Sequence, residues 1–149
     1  MKILVLHGPN LNLFGRREPH IYGTMTLAEI NDKLQALARE LKVELDVLQS
    51  NHEGALVDFL HKHMDSAAGG IINPAGLTQH GVSLHDCIKA MPFPVLEVHM
   101  SNIAAREVWR HHSIISSAVK GTVQGLGWRS YTAALRALVE IAGEAKKKA

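Results

Sequence analysis

The chain begins with the apolar run ILVL at residues 3–6, and the turn-forming residues GPN follow at 8–10. A short apolar run without polar alternation is typical of a strand buried on both faces, as the strands of parallel sheets are. Gly, Pro and Asn favour a turn after such a strand. This stretch therefore predicts a buried first strand that runs into a loop.

Beyond this strand, short apolar runs alternate with amphipathic stretches of helical spacing. Two helix starts have the spacing of a capping box, Thr26 with Glu29 and Ser50 with Glu53. Repeated strand-to-helix units predict a parallel sheet covered by helices on both faces. We expect one α/β domain over 1–149 with a doubly wound, five-stranded sheet. Further strands are predicted over 43–48, 69–72, 94–98 and 119–124, and helices over 27–41, 53–64, 82–91, 104–110 and 131–145.

Composition limits the classes of function. The net charge of the 149 residues is only +2, and three lysines lie in a short basic tail over 146–149. The rest of the chain is therefore close to neutral, and its charge does not support a nucleic-acid or membrane-surface partner. The lone cysteine, Cys87, excludes an internal disulfide and indicates a reducing, cytoplasmic setting. The first apolar run ends before Asn10, so it predicts neither a signal peptide nor a membrane span.

Polar residues concentrate where the predicted strands end. In open parallel α/β sheets, ligands bind beyond the carboxyl ends of the strands. Asn10 and Asn12 follow the first strand at this edge, although ordinary turn chemistry, taken alone, explains them better. The turn is not a phosphate loop, because it lacks Gly-Lys-Ser/Thr.

Residues 15–25 form a predicted lid before the first long helix, with glycines near its ends. Tyrosine is a weak base at its ordinary pKa of about 10, and a neighbouring arginine lowers that pKa. Arg17 and Tyr22 on the lid are therefore a candidate general base. The alternative is a solvated loop whose tyrosine packs on the surface.

Glu97 and His99 lie at the end of the fourth predicted strand, where alternation places both side chains on one side. A carboxylate beside an imidazole favours the charged ring and fixes its tautomer, so His99 is a candidate acid. The alternative is a structural histidine. Ser101 and Asn102 then begin a short helical stretch, and the free backbone N–H groups at its start predict a carboxylate-binding site. An ordinary N-cap role for these residues is compatible with that prediction.

The ten histidines do not predict a metal site. None has the His-Glu-x-x-His or Cys/His spacing of zinc sites. His61 and His63 would point to different faces of a helix. We therefore expect no metal in the site.

Taken together, these segments resemble the type II 3-dehydroquinate dehydratase family over about residues 2–138. The most specific strings are QSNHEG at 49–54 and REPHIYG at 17–23. Supporting strings are GPNLNL at 8–13, TL at 26–27, INP at 72–74, EVH at 97–99, SNI at 101–103 and RHHS at 110–113, with Arg106.

The resemblance implies a flavodoxin-like fold, assembly as a homododecamer built from four trimers, and no cofactor. It implies a hydro-lyase that converts 3-dehydroquinate to 3-dehydroshikimate by anti elimination of water. The reaction belongs to the shikimate pathway or to quinate breakdown, and the sequence leaves that choice open.

Catalytic roles follow from the same resemblance. Tyr22 is the base that removes a proton from the carbon α to the ketone, and Arg17 lowers its pKa. Asn10 holds a water that stabilises the enolate. His99, paired with Glu97, donates a proton to the departing hydroxyl.

Substrate-binding roles are implied in the same way. Ser101 and the backbone of Asn102 hold the substrate carboxylate, while Asn73 and Arg110 orient ring hydroxyls. Asp86 reaches into the site of a neighbouring subunit.

Residues 78–81 depart from the family's pattern, which has Thr-His-Thr-Ser where this chain has TQHG. Gln79 stands where a substrate-contacting histidine is usual, and a one-residue shift that lets His80 replace it is the alternative. His85 stands where an arginine is usual. Because the proton-transfer residues are all present, we expect activity with weakened substrate binding.

Two other hypotheses stay open. One is a catalytically weak relative that binds a quinate-like or shikimate-like carboxylate as a sensor or scavenger. The other is a flavodoxin-like module that binds a nucleotide or flavin. The lack of a phosphate loop after the first strand counts against the second.

Overall fold

The computed structural model describes residues 1–148 and contains one five-stranded parallel sheet. Its strands are β1 (Lys2–His7), β2 (Glu44–Gln49), β3 (Gly69–Asn73), β4 (Val95–His99) and β5 (Gly121–Gln124). Their order across the sheet is β2-β1-β3-β4-β5, the order of flavodoxin-like doubly wound folds. The predicted fold class is thereby confirmed.

Helices cover both faces of this sheet. The helices are α1 (Pro19–Tyr22), α2 (Leu27–Leu41), α3 (Glu53–Lys62), α4 (Val82–Ala90) and α5 (Arg129–Lys148). Apolar side chains of α2 and α5 form one core layer, and those of α3 and α4 form the other. Within residues 1–148, no helix combines the length and the apolar content needed to cross a membrane.

The β1 strand lies between these two layers. Ile3 and Val5 pack with α2 and α5, whereas Leu4 and Leu6 pack with α3 and α4. All four side chains are fully buried. Burial of a side chain of this size stabilises the fold by about 1.5–3 kcal/mol. The unbroken apolar run is thus explained by a strand that has a core on each face.

The register of the sheet aligns polar residues along its carboxyl edge. His7 of β1 pairs with Gln49 of β2 and with Asn73 of β3. On the other side, His99 of β4 pairs with Gln124 of β5. Five adjacent strands therefore end in side chains that can form hydrogen bonds.

One of the two predicted capping boxes is wrong. α2 does begin with reciprocal hydrogen bonds between Thr26 and Glu29. At α3, the N-cap is His52, and its N–H donates to the Ser50 hydroxyl. The Glu53 carboxylate instead accepts the backbone N–H of Leu84 at 2.9 Å, in the first turn of α4. Glu53 therefore satisfies an unpaired N–H of a neighbouring helix rather than of its own.

Two further segments differ from their predictions. Residues 103–110 form two 3₁₀ turns, Ile103–Ala105 and Val108–Arg110, because extended backbone at Arg106 and Glu107 interrupts the helix. The basic tail is helical over Lys146–Lys148, the last turn of α5, where lysine charge favours the negative end of the helix dipole. Ala149 lies outside the described residues.

The loop after β1 approaches the loop after β3 closely at Gly8. Its N–H donates to the carbonyl of Asn73 at 2.8 Å. A Cβ atom at Gly8 would lie 2.5 Å from the carbonyl oxygen of Pro74, a distance that side-chain carbons do not adopt. Only glycine therefore allows these two loops to meet.

We expect Gly8→Ala to lower the free energy of unfolding by about 1–3 kcal/mol, because the added methyl group displaces the Pro74 backbone. Gly54→Ala is the matched control, since a Cβ there has no neighbour within 4 Å. In the first turn of α3, that change is neutral or stabilises by up to about 1 kcal/mol. Urea unfolding at one protein concentration measures both, and equal midpoints would contradict the close approach.

Candidate active site

A cavity of about 180 Å³ opens at the carboxyl edge of the sheet, beside α1 and the 3₁₀ turns of residues 103–110. Residues from four separate segments line it, as expected at this edge of a doubly wound fold. Among its walls are eight of the residues predicted from the sequence: Asn10, Arg17, Tyr22, Asn73, Gln79, His99, Ser101 and Arg110.

Glu97 and His99 form a hydrogen-bonded pair at the end of β4. The Nε2 of His99 lies 2.6 Å from Oε1 of Glu97. Glu97 is fully buried behind His99, which lines the cavity. Because Nε2 bonds the carboxylate, Nδ1 is the ring nitrogen left for a ligand.

Two serines that sequence reasoning gave no role also bond Glu97. The Ser113 hydroxyl donates to Oε1 at 2.7 Å, and the Ser116 hydroxyl donates to Oε2 at 2.5 Å. Burial raises the pKa of the Glu97 carboxyl, but the hydrogen bonds from His99, Ser116 and Ser113 and the charge of His99 bring the pKa below its ordinary value. The buried group is thus a carboxylate.

Tyr22 meets two arginines at the cavity wall. The Nη1 of Arg106 donates to the Tyr22 hydroxyl at 2.8 Å. Arg17 lies over the ring, with its guanidinium carbon 5.0 Å from the ring centroid, and Arg106 lies 5.2 Å from it. Arg106, which the sequence placed only in a family motif, is therefore the guanidinium in direct contact with the hydroxyl.

Asn10 is held in a left-handed turn, with φ of 67°. Its backbone N–H donates to Oδ1 of Asn51 at 2.9 Å. The amide of Gln49 donates to the same Asn51 oxygen and to the carbonyl of Gly8, each at 3.2 Å. The string at 49–54 thus contributes to the site by fixing the turn that presents Asn10.

Asn73 is oriented by a buried hydrogen-bond chain. Its Nδ2 donates to the Tyr131 hydroxyl at 3.0 Å, and its Oδ1 accepts the N–H of Ala75 at 3.1 Å. Burial raises the pKa of Tyr131, so its hydroxyl keeps its proton and donates to Nδ1 of His7 at 3.1 Å. The other ring nitrogen of His7 donates to Oδ1 of Asn31 at 2.9 Å. Asn73 thereby presents its amide in one orientation.

Three contacts position Arg110 at the cavity wall. Its Nε donates to Glu107 at 2.9 Å, and its guanidinium lies 3.9 Å from the ring centroid of Trp109. Gln79 donates to the Arg110 carbonyl at 3.2 Å. Glu107 and Trp109 were not among the predicted site residues, although they flank Arg110 in sequence.

Three predicted binding residues do not line this cavity within the chain. His80 is exposed, at the end of a 3₁₀ turn. Asp86 is exposed on α4 and pairs with His85 at 2.9 Å. Asn102 lines an adjoining cavity of about 510 Å³, and its side chain caps the next turn by accepting the N–H of Ala104.

Comparisons with known proteins point to one family. A family model described as Dehydroquinase class II matches residues 1–139. The 3-dehydroquinate dehydratase of Halothermothrix orenii is 49% identical over 140 residues, covering 94% of this chain and 95% of that protein. The crystal structure of type II dehydroquinase from Propionibacterium acnes has a TM-score of 0.90 and 42% identity, covering 93% and 96% of the two chains. The type II dehydroquinase structure from Butyrivibrio crossotus has a TM-score of 0.91 and 34% identity, covering 93% and 97%.

The buried chain behind Asn73 predicts a pH dependence of stability. Burial lowers the pKa of His7 from 6.5 to about 4, although the hydrogen bond to Asn31 raises it. Between these values the unfolded chain binds a proton that the folded chain does not, so stability falls as the pH falls from about 6.5 to about 4. We expect this to cost on the order of 2 to 3 kcal/mol.

Urea unfolding of the wild type and of His7→Asn at pH 7 and pH 4.5 measures this contribution. The variant lacks the imidazole, so its stability changes less between the two pH values. Identical losses in both proteins would show that His7 is not buried as the neutral ring.

Proposed function

This chain belongs to the class II dehydroquinase family, and from that premise we propose that it converts 3-dehydroquinate to 3-dehydroshikimate as a carbon–oxygen hydro-lyase. The observation that carries the proposal is one cavity that holds both Tyr22 and the Glu97-paired His99. Elimination of water beside a ketone needs a base for the α proton and an acid for the hydroxide. The two groups come from different segments, which suits removal of proton and hydroxyl from opposite faces of the ring.

Tyr22 is the proposed base. Two positive charges lie against this phenol, Arg106 at its hydroxyl and Arg17 over its ring. The hydrogen bond at its hydroxyl and the guanidinium over its ring limit the movement of the side chain, which holds the phenolic oxygen in one position. Arg106 thereby joins Arg17 in the proposed catalytic set.

Removal of the α proton builds negative charge on the ketone oxygen, and the proposed stabiliser is a water held by Asn10. Oxyanion stabilisation depends on donors that are in place before the reaction. The Asn51 and Gln49 side chains that fix the Asn10 turn supply this preorganisation.

His99 is the proposed acid that protonates the departing hydroxyl from Nδ1. Glu97 holds Nε2, so the ring keeps one orientation and its positive charge is stabilised when the second nitrogen is protonated. Glu97 has no exposed surface, and its Coulomb interaction with the protonated His99 is therefore stronger than the same interaction in water.

Polar groups around the cavity are proposed to hold the substrate. The Ser101 hydroxyl and the Asn102 backbone bind the carboxylate. Asn73 and Arg110 bind ring hydroxyls, with Gln79 at the same wall. Gln79 has one amide hydrogen bonded to the Arg110 carbonyl, which leaves the other to the ligand.

We also propose the family's homododecamer, a tetramer of trimers, in which Asp86 reaches a neighbouring subunit. Asp86 is 73% exposed at its side chain, and Val82 on the same helix is 60% exposed. A carboxylate beside exposed apolar surface suits a subunit contact. The single free cysteine, Cys87, supports a cytoplasmic location. The reaction would serve shikimate synthesis or quinate breakdown.

We expect the purified protein to convert 3-dehydroquinate, followed by the ultraviolet absorbance of the conjugated enone product. Tyr22→Phe keeps the aromatic ring beside the arginines but removes the base, so kcat falls by about 10²- to 10⁴-fold. His20→Ala is the matched control, because His20 is an exposed residue of the same short helix.

Absence of turnover by the wild type at high enzyme concentration would contradict the proposed activity. In that case, binding of quinate without turnover would favour the sensor hypothesis. Turnover that survives Tyr22→Phe would contradict only the assignment of the base.

A further inference from the structure

Glu97 carries a negative charge in a position with no exposed surface. A buried ion is costly unless charged and hydrogen-bonding partners surround it. His99 bonds only one of its two oxygens, Oε1. The imidazole alone therefore leaves half of this carboxylate without a donor.

The remaining donors come from one turn of the chain, the segment SIIS at 113–116. Ser113 donates to Oε1 at 2.7 Å and Ser116 to Oε2 at 2.5 Å. The backbone N–H of Ser116 donates to the Ser113 oxygen at 3.1 Å. This bond occupies a lone pair of that oxygen and turns its proton toward Glu97.

We infer that Ser113 and Ser116 are positioning residues of the proton donor, which act by keeping the negative charge on Glu97 and hence the transferable proton on His99. The inference rests on the proposed function of His99 as the acid. Neither serine lines the cavity, so both act through Glu97 rather than on the substrate.

The reason is a competition for one proton within the pair. When the pair holds a single extra proton, that proton lies either on His99, with Glu97 ionised, or on Glu97, with His99 neutral. Only the first form has a proton on Nδ1 to give. Hydroxyl donors stabilise the carboxylate and not the carboxylic acid, so they favour the productive form.

Ser116 allows the cleaner test. Ser113→Ala would also remove the acceptor of the Ser116 N–H and could loosen the turn. Ser116→Ala removes only a hydroxyl that donates to Glu97. Ser116→Thr restores a hydroxyl, and Ser116 is an exposed residue with room for the added methyl group.

We expect Ser116→Ala to lower kcat by up to about 10-fold at the pH of maximal activity with KM unchanged, since loss of a charged hydrogen bond to Glu97 moves the shared proton from His99 toward the carboxylate. Ser116→Thr returns kcat toward its wild-type value. Ser117→Ala is the matched control, because the Ser117 hydroxyl in the same turn bonds the Ile114 carbonyl and His85 rather than Glu97.

A second readout needs no turnover. The ¹³C carboxyl resonance of Glu97, in protein labelled at glutamate, reports its ionisation directly. In Ser116→Ala this signal should reach the value of the protonated acid at a pH where the wild-type signal is still that of a carboxylate. Far-UV circular dichroism confirms that each protein is folded at each pH.

The outcomes separate the two proposals. If the wild type does not convert 3-dehydroquinate, the proposed function is contradicted. The ¹³C resonance of Glu97 still tests the role of Ser116 in that case. Carboxyl signals that coincide at every pH at which both proteins are folded overturn the role of Ser116, as does an equal fall in kcat for Ser117→Ala. A rise in KM with kcat unchanged would indicate a merely structural serine and would also overturn it.

Discussion

The charge of Glu97, enclosed at the carboxyl edge of the sheet, is the constraint on which the site depends. A buried carboxylate is stable only among fixed partners. The alternation of β4 supplies His99 on the same side, and the turn at 113–116 supplies two hydroxyls. Satisfying this one charge therefore fixes the orientation of the imidazole that faces the cavity.

Around Tyr22, the site depends instead on positive charge beside an aromatic ring. The chain brings Arg17 from its predicted lid and Arg106 from the region after β4 to the ring of Tyr22. The ring also packs 5.7 Å from Phe14, which belongs to the core. Within residues 15–25, the tyrosine thus lies on a helical turn that the core supports, while its hydroxyl reaches the cavity.

Local patterns in the sequence predict the sheet and much of the site, because both depend on spacing along the chain. The run at 3–6 indicates a doubly buried strand, and the spacing of Glu97 and His99 places them on one side of β4. Contacts between distant segments leave no such pattern. The bond from Arg106 to Tyr22 joins residues 84 apart, and that from His7 to Tyr131 joins residues 124 apart. Glu53 is a further example, because its spacing from Ser50 predicts a cap for α3, whereas its carboxylate accepts a backbone N–H of α4.

Glu97→Gln removes the negative charge on which the site depends while keeping nearly the same shape. With circular dichroism confirming the fold, kcat for 3-dehydroquinate at saturating substrate tests the role of this charge most directly. We expect a decrease of at least about 100-fold with little change in KM, because His99 loses the partner that stabilises its protonated form. A kcat within roughly threefold of the wild type would contradict it, since the neutral amide would then serve His99 as well as the carboxylate does.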